Sequence, residues 1–526
     1  MSFAVLSLLH FKQVKFKHYF TQVTEEQLSL EDRKLLNKIQ NMINSEKHES
    51  GSMTKWVDLY LVSLFILNTM LYLCGAWFGV MTNFRLIDDF GDGIILHKDF
   101  FNIIDITFQN NIRFRPTWEL GNILYWGIFD NNPALHHACR ILIKFSCFFM
   151  MCHLVYKKNK LSYQSLLVCA IFIQGAFLVH YNIPEARLAP QEISLVFYSL
   201  LLFYCIEFKF RFNQIAFIIV SILFIGTKES AIISWPLFAL LYYIKSGNKK
   251  IYPLIFSSMF WVFSLFRLFE ISRNKSYGFN YNEGMMDREY FFNWTATELF
   301  DEPYFYILLL LLFFTKNIFD IDNFKKSNGL VPIFVFYFIL SSVSFEVSFR
   351  YVFPALTIWV LLISASLNYK SNWILFIPII LTLNGLRNSN DFLSQFISQY
   401  NVSISENKLL HEINNSNNLT YKFYEENEYT HKILIYFNNY RKYFNPDINQ
   451  VKFVKTGEYQ ILISQKKLNY KLFKKIESNP LEDYWIYNVS KKISFFLGTD
   501  SFHVDNGSPN TKNNTWFLYS VTEESV

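Results

Sequence analysis

The sequence predicts a polytopic α-helical membrane protein with about eleven transmembrane helices and a small α/β extracytoplasmic domain at the C-terminus. Hydrophobic residues make up 52% of the 526 residues and charged residues only 17%, with 58 Phe and 32 Tyr. A soluble chain of this length would carry more charge. Apolar runs of about 20 residues recur between short polar loops. A buried core helix explains any one run, but not the whole series.

Residues 1–55 are predicted to be a cytoplasmic N-terminal extension. The segment includes "TEEQLSLEDRKLLNKIQNMINSEKHES", which favours a helix but is too polar to cross a membrane. It lacks the short apolar core and small-residue cleavage site of a signal peptide.

The transmembrane domain is predicted over 56–387. Its spans are expected at 57–80, 134–155, 162–181, 190–206, 213–227, 230–244, 251–269, 304–315, 329–345, 352–368 and 373–387. Loops such as "YKKNK" (156–160) and "KSGNKK" (245–250) are basic, whereas "NIPEARLAP" (182–190) and "TKES" (227–230) are mixed or acidic. Because lysine and arginine collect in cytoplasmic loops, the mixed or acidic loops are predicted to face outward. With eleven spans and a cytoplasmic N-terminus, the C-terminus is predicted to lie outside as well.

The C-terminal region, 388–526, is predicted to be a folded extracytoplasmic domain. "KILIYF" and "YQILIS" have the composition of strands and are bounded by Asn and Gly. All six cysteines lie in or beside apolar runs, so no disulfide framework is expected in this region.

The external loop 81–133 carries an acidic pair, Asp88 and Asp89, in "FRLIDDFGDG" directly after the first span. Residues 119–129, "ELGNILYWGIF", are too few to cross the membrane, and their Trp and Tyr favour a helix lying at its surface. A carboxylate there could act as a general base or ligate a divalent cation through oxygen. Alternatively, the pair caps a helix or is solvated in a loop.

Further charges stand at the outer ends of four separate segments. They are Arg113 and Arg115 in "RFRP", Glu185 and Arg187 in "NIPEARLAP", Lys228 and Glu229 in "GTKESA", and Glu346 and Arg350 in "FEVSFRYVFP". Arginine grips phosphate through two hydrogen bonds, and lysine acts as a point charge. The group could therefore bind a lipid phosphate, or it could be an internal salt-bridge network that sets helix packing.

These elements together resemble the polytopic GT-C glycosyltransferases, in particular the branch of protein O-mannosyltransferases. The resemblance rests on an ordered series over about residues 57–370. Its members are the early acidic pair, "RFRPTWELGNILYWGIF", Asn132–Pro133 with His136–His137, "TKESAIISWPLFALLYY", and the late Arg350, Tyr351 and Pro354. The layout is equally similar to that of the bacterial serotype-converting glucosyltransferases of O-antigen. The chain departs from the family in having two adjacent histidines and an unassigned polar tail.

The resemblance implies transfer of one sugar, with inversion, from a polyprenyl-phosphate donor to a hydroxyl on the outer face of the membrane. Asp88 would be the base, and Asp89 would orient it or bind the acceptor. Arg350 and Lys228, with Arg115, would bind the donor phosphate. The cavity and acceptor residues would be Glu185, Arg187, Glu229 and His136.

The implied partners are the polyprenyl-phosphate sugar, a polysaccharide or protein hydroxyl, and membrane lipids, with no nucleic acid. No cofactor is firmly predicted, and a divalent cation stays open. The expected location is a bacterial inner membrane, with the site on the periplasmic face. Two alternatives remain: an O-antigen polymerase or ligase that moves a whole oligosaccharide, and a non-enzymatic flippase of lipid-linked sugars. Internal repeats, which are typical of transporters, are not evident.

Overall fold

A computed structural model describes most of the helical region and part of the C-terminal region. The described residues are 56–70, 72–74, 76–77, 80–81, 114–129, 132–175, 191–208, 212–246, 251–273, 320–326, 329–342, 349–369, 403–409, 411–413, 420–424, 452–453, 459–477 and 515–520, with isolated residues between 374 and 401 and between 485 and 492.

The described part of the first two-thirds of the chain consists of helices joined by short turns. In chain order the helices are α1 (Trp56–Cys74), α2 (Pro116–Phe129), α3 (Pro133–Asn159), α4 (Tyr163–Ile173), α5 (Gln191–Glu207), α6 (Asn213–Ile225), α7 (Glu229–Ser246), α8 (Tyr252–Arg273), α9 (Ile321–Lys326), α10 (Leu330–Ser342) and α11 (Phe349–Ser366). These helices overlap every span predicted between 57 and 269, and those predicted at 329–345 and 352–368. The spans predicted at 304–315 and 373–387 lie outside, or almost entirely outside, the described residues.

Three helices among the described residues are long and apolar enough to cross a membrane: α1, α3 over Ala134–Asn159, and α8 over Tyr252–Glu270. Four shorter apolar helices lie in α4, α6, α10 and α11. The mostly helical architecture agrees with the sequence, whereas the number of about eleven spans stays a prediction. Length is one reason: α5 has 17 residues, which reach about 26 Å at a rise of about 1.5 Å per residue, against about 30 Å of hydrocarbon.

Helix α5 is the centre of the bundle and packs against α3, α6, α7 and α11. Its side chains are buried on several faces, including Ile193, Val196, Leu200 and Phe203. Such a helix carries no amphipathic stripe because it has no face toward the surroundings.

The outer helices have the reverse character, since large apolar side chains cover their outward faces. In α8, Phe256, Met259 and Phe266 are 57%, 65% and 69% exposed. In α1, Trp56 and Met70 are similarly exposed. Soluble monomers rarely present contiguous apolar patches of this kind, which mark membrane or protein contact surfaces.

Polar contacts fix the relative direction of α1 and α4. Gln164 Nε2 donates to Asp58 Oδ1 at 2.7 Å, and Gln174 Nε2 donates to Thr69 Oγ1 at 2.8 Å. Because both pairs advance along the chain in the same sense, the two helices run parallel. The predicted alternation of spans requires this same relative direction.

The C-terminal ends of four helices meet at one end of the bundle. Glu207 Oε1 lies 3.9 Å from Lys158 Nζ and 2.7 Å from Lys245 Nζ, and Asn159 Nδ2 donates to the carbonyl of Ala365 at 2.8 Å. These contacts join α3, α5, α7 and α11 at what we call the basic end. The opposite end holds the N-termini of α5 and α7, about 24 Å away along α7 at about 1.5 Å per residue.

The C-terminal region contains a mixed sheet of β1 (Thr420–Phe423), β2 (Lys452–Phe453), β3 (Ile461–Ser464), β4 (Leu472–Glu477) and β5 (Thr515–Ser520). The strand order is β2-β1-β3-β5-β4, with β1 parallel to β2 and β3, and β5 antiparallel to β3 and β4. The predicted strand "YQILIS" is confirmed as β3, whose four residues are all buried. "KILIYF" lies outside the described residues.

Candidate functional site

The end of the bundle opposite the basic end carries a cluster of four charged side chains, Arg115, Glu192, Lys228 and Glu229, which we call the charged cluster. Arg115 comes directly before α2, Glu192 lies in the first turn of α5, and Lys228 and Glu229 lie at the turn between α6 and α7. Three separate segments therefore contribute to it. Two of them, around Arg115 and Lys228–Glu229, are among the four segments named from the sequence, whereas the segment of Glu192 is not.

A bidentate ion pair joins Arg115 to Glu229, 114 residues further along the chain. Arg115 Nε lies 2.9 Å and 3.0 Å from the two carboxylate oxygens, and Nη2 lies 2.8 Å from Oε2. The side chains are 10% and 19% exposed. A buried fork of this geometry is among the stronger charge-assisted contacts and fixes the orientation of both groups.

A close backbone approach brings these two segments together. The backbone N–H of Thr117 donates to the carbonyl of Gly226 at 2.9 Å. A Cβ atom added at Gly226 would lie only 2.2 Å from Thr117 Oγ1. Glycine therefore permits the start of α2 to touch the end of α6, and this contact sets the position of Arg115 relative to Glu229.

The second ion pair joins Lys228 to Glu192 of α5. Lys228 Nζ lies 2.5 Å from Glu192 Oε1, and the side chains are 10% and 5% exposed. Removing either partner would leave the other charge buried without it, which is costly in a low-dielectric interior. The pair also ties the N-terminus of α5 to the turn before α7.

The electrostatics of the charged cluster are balanced, since it holds two cations and two carboxylates. Burial alone would raise the pKa of Glu229, but the charge of Arg115 and its hydrogen bond outweigh burial, with a smaller contribution from Lys228. The pKa of Glu229 therefore lies below its ordinary value of 4.5. Glu229 is a carboxylate at neutral pH and is suited to holding Arg115 rather than to giving up a proton.

Helix α3 buries further basic side chains behind its first turn. His136 and His137 are fully buried, and Arg140 and Lys144 are 5% and 2% exposed. The His136 ring packs edge-on against Phe129 of α2, with centroids 5.8 Å apart. Residues 136, 140 and 144 repeat every four positions, so they share a face of α3.

The Asn132–Pro133 pair, one of the motifs of the resemblance, has a structural role in this chain. Asn132 is the N-cap of α3, and its side-chain oxygen accepts a hydrogen bond from the backbone N–H of Leu135 at 3.2 Å. Pro133 follows as the first helical residue, where its missing N–H has no cost.

The structure does not describe the side chains of five predicted site residues. Asp88, Asp89, Glu185 and Arg187 lie outside the described residues. Arg350 stands in the first turn of α11, and its side chain lies outside the described part of the chain.

The sequence reasoning missed Glu192, Arg140 and Lys144. Glu192 follows "LAPQ" and is an acid in the first turn of a helix, which is an ordinary N-terminal signal. Arg140 and Lys144 are ionisable residues inside an apolar run, and such residues are functional candidates by default.

Within the residues that the structure describes, no group of three His, Cys, Asp or Glu side chains is arranged to hold a metal ion. No protein-family model matches the chain, and no curated protein or solved structure is detectably similar to it.

Proposed function

We propose that this protein is an inverting membrane glycosyltransferase that moves a single sugar from a polyprenyl-phosphate donor to a hydroxyl acceptor outside the cytoplasm. The acceptor would be a cell-surface polysaccharide or a protein. The charged cluster is the single observation that carries the proposal, because it gathers buried cations from distant segments at one end of an apolar bundle.

A membrane placement with about eleven spans is part of the proposal. It is supported by the exposed apolar faces of α1 and α8 and by charge at both ends of the bundle. The distance of about 24 Å between those ends approaches the hydrocarbon thickness of about 30 Å. The basic end would then face the cytoplasm, because lysine and arginine favour that side, and the charged cluster would face outward in a bacterial inner membrane.

The reaction would be a direct displacement at the anomeric carbon. The acceptor hydroxyl oxygen attacks this carbon, its proton passes to Asp88, and the bond between the anomeric carbon and the phosphate oxygen breaks. Polyprenyl phosphate leaves with the bonding electrons. Because phosphate is already a good leaving group, one base is sufficient, and the pair of carboxylates used in glycoside hydrolysis is not needed.

Cations would stabilise the charge that develops on the leaving phosphate, a contribution that often dominates such reactions. Lys228 and Arg115 are the described candidates, with Arg350 as a third. Glu192 and Glu229 would hold these cations in position, while Asp89, Glu185 and Arg187 would line the acceptor side.

The test is a transfer assay with purified protein in detergent and a panel of labelled polyprenyl-phosphate sugars. The wild type should form a glycosidic bond with at least one donor. Asp88→Asn should retain that donor and transfer no sugar. Asp322→Asn is the matched control, because Asp322 is 83% exposed in α9, and it should transfer normally.

Three outcomes would contradict the proposal. Full transfer by Asp88→Asn would remove the base from the mechanism. Failure of the wild type to form a bond with any donor, while it moves lipid-linked sugars between leaflets of a vesicle, would identify a flippase. Transfer of an intact oligosaccharide from a lipid pyrophosphate would identify a polymerase or ligase.

A further inference from the structure

A cavity of about 210 Å³ opens between α3, α5, α7, α10 and α11 at the basic end of the bundle. Its walls are mostly apolar and include Leu154, Phe203, Leu241 and Leu361. It is therefore separated from the charged cluster by most of the length of α5 and α7, and the proposed transfer reaction does not use it.

Four charged side chains are among the residues that line this cavity. Lys157, Lys158 and Lys245 line it together with one carboxylate, Glu207, which gives a formal charge of 3 − 1 = +2. Lys245 Nζ lies 2.7 Å and 2.8 Å from the two Glu207 oxygens, and Lys158 Nζ lies 3.9 Å from the nearer one. Glu207 thus brings Lys158 and Lys245 close together, and its single negative charge leaves the cavity with a net positive charge.

The positive charge extends beyond the cavity walls. Lys326 of α9 lies close enough for its charge to act on Lys158. The start of α9 is itself tied to this end, because the backbone N–H of Asp320 donates to the carbonyl of Ser366 at 3.0 Å. An anion entering the cavity would therefore meet lysines from three helices.

We propose that this cavity binds the headgroup of an anionic glycerophospholipid, such as phosphatidylglycerol. A phosphate group in the cavity would contact Lys157, Lys158 and Lys245 beside the Glu207 carboxylate, and the acyl chains would lie along the apolar wall. Basic pockets between helices at the cytoplasmic ends of membrane bundles are suited to anionic lipid headgroups. Charge complementarity selects this occupant over zwitterionic phosphatidylcholine. The inference rests on the membrane placement in the proposed function, but not on the transferase activity.

The test is native mass spectrometry of the full chain released from nanodiscs that contain equal amounts of phosphatidylglycerol and phosphatidylcholine. The wild type should retain phosphatidylglycerol preferentially. The double variant Lys158→Ala with Lys245→Ala should reduce phosphatidylglycerol adducts at least fivefold and leave phosphatidylcholine adducts unchanged. Lys475→Ala, at an exposed lysine of β4, is the matched control and should behave as the wild type.

A second variant, for which an increase in lipid retention is expected, distinguishes loss of the lipid site from loss of folding. Glu207→Gln raises the formal charge of the cavity and should increase phosphatidylglycerol retention. Equal retention of the two lipids by the wild type, or a decrease with Glu207→Gln, overturns the inference. Asp88→Asn should retain phosphatidylglycerol normally, so failure of the lipid site and failure of the transferase proposal are distinguishable.

Discussion

The Lys228–Glu192 pair gives the most direct test of how the charged cluster is held together. We expect Lys228→Met to destabilise the protein strongly, because Glu192 would remain 5% exposed without its cation. We expect Glu192→Gln to do the same to Lys228. The double variant, Lys228→Met with Glu192→Gln, should be more stable than either single variant, because it buries no unpaired charge.

The size of the effect follows from the geometry. Two unit charges 2.5 Å apart attract by about 7 kcal/mol at an effective dielectric constant of about 20. Desolvation offsets most of this attraction, at several kcal/mol per ion. Breaking a buried pair by removing one partner costs about 3–5 kcal/mol, whereas replacing both partners is often close to neutral.

The assay is unfolding of the purified protein in detergent, followed by tryptophan fluorescence for the wild type, both single variants and the double variant. Lys475→Met provides the comparison, since the Lys475–Glu477 pair is exposed and such pairs contribute at most about 1 kcal/mol. A Lys228→Met variant as stable as the wild type, or a double variant no more stable than the less stable single variant, would show that the two charges do not depend on each other. The double variant should regain stability but not transfer activity, because Lys228 is absent from both it and the single variant Lys228→Met.

The remaining predictions concern other contacts at the end of the bundle that holds the charged cluster. Gly226→Ala should destabilise the protein by about 1–3 kcal/mol in the same unfolding assay, because the new Cβ overlaps Thr117 Oγ1. Adding Thr117→Ala should recover part of that loss, and no recovery would contradict the steric account. The stabilisation from ionised Glu229 should be fully present above its ordinary pKa of 4.5 and lost as pH falls through the lower folded value. The stability difference between wild type and Glu229→Gln should therefore be constant from pH 7 to pH 5 and shrink below that, and a decrease already at pH 6 would argue against the Arg115 pairing. Asn132→Ala should cost about 1 kcal/mol through loss of the helix cap, whereas Asn132→Ser should be nearly neutral.

The helices of this protein follow from local sequence properties. Apolar runs, the cap at Asn132 and the turn signals near Gly226 mark where helices begin and end, so most of the described helix positions were predictable. The strand at 461–464 was predictable for the same reason, because four consecutive apolar or small residues bounded by turn residues favour a buried strand. Whether each helix crosses the membrane is harder to predict, because helices of fewer than about 18 residues are marginal by length.

The apolar character of the chain, the position of its helices and the presence of charge at their ends follow from the order of residues along the chain. The pairing of those charges follows instead from how the helices pack: Arg115 meets Glu229 across 114 residues, and Lys228 meets Glu192 across 36. The reason is physical. Helix formation depends on neighbours within about four residues, whereas an ion pair between helices depends on how whole helices pack. For the Arg115–Glu229 pair, the approach of α2 to α6 includes a close contact between Thr117 and Gly226 that no local pattern indicates.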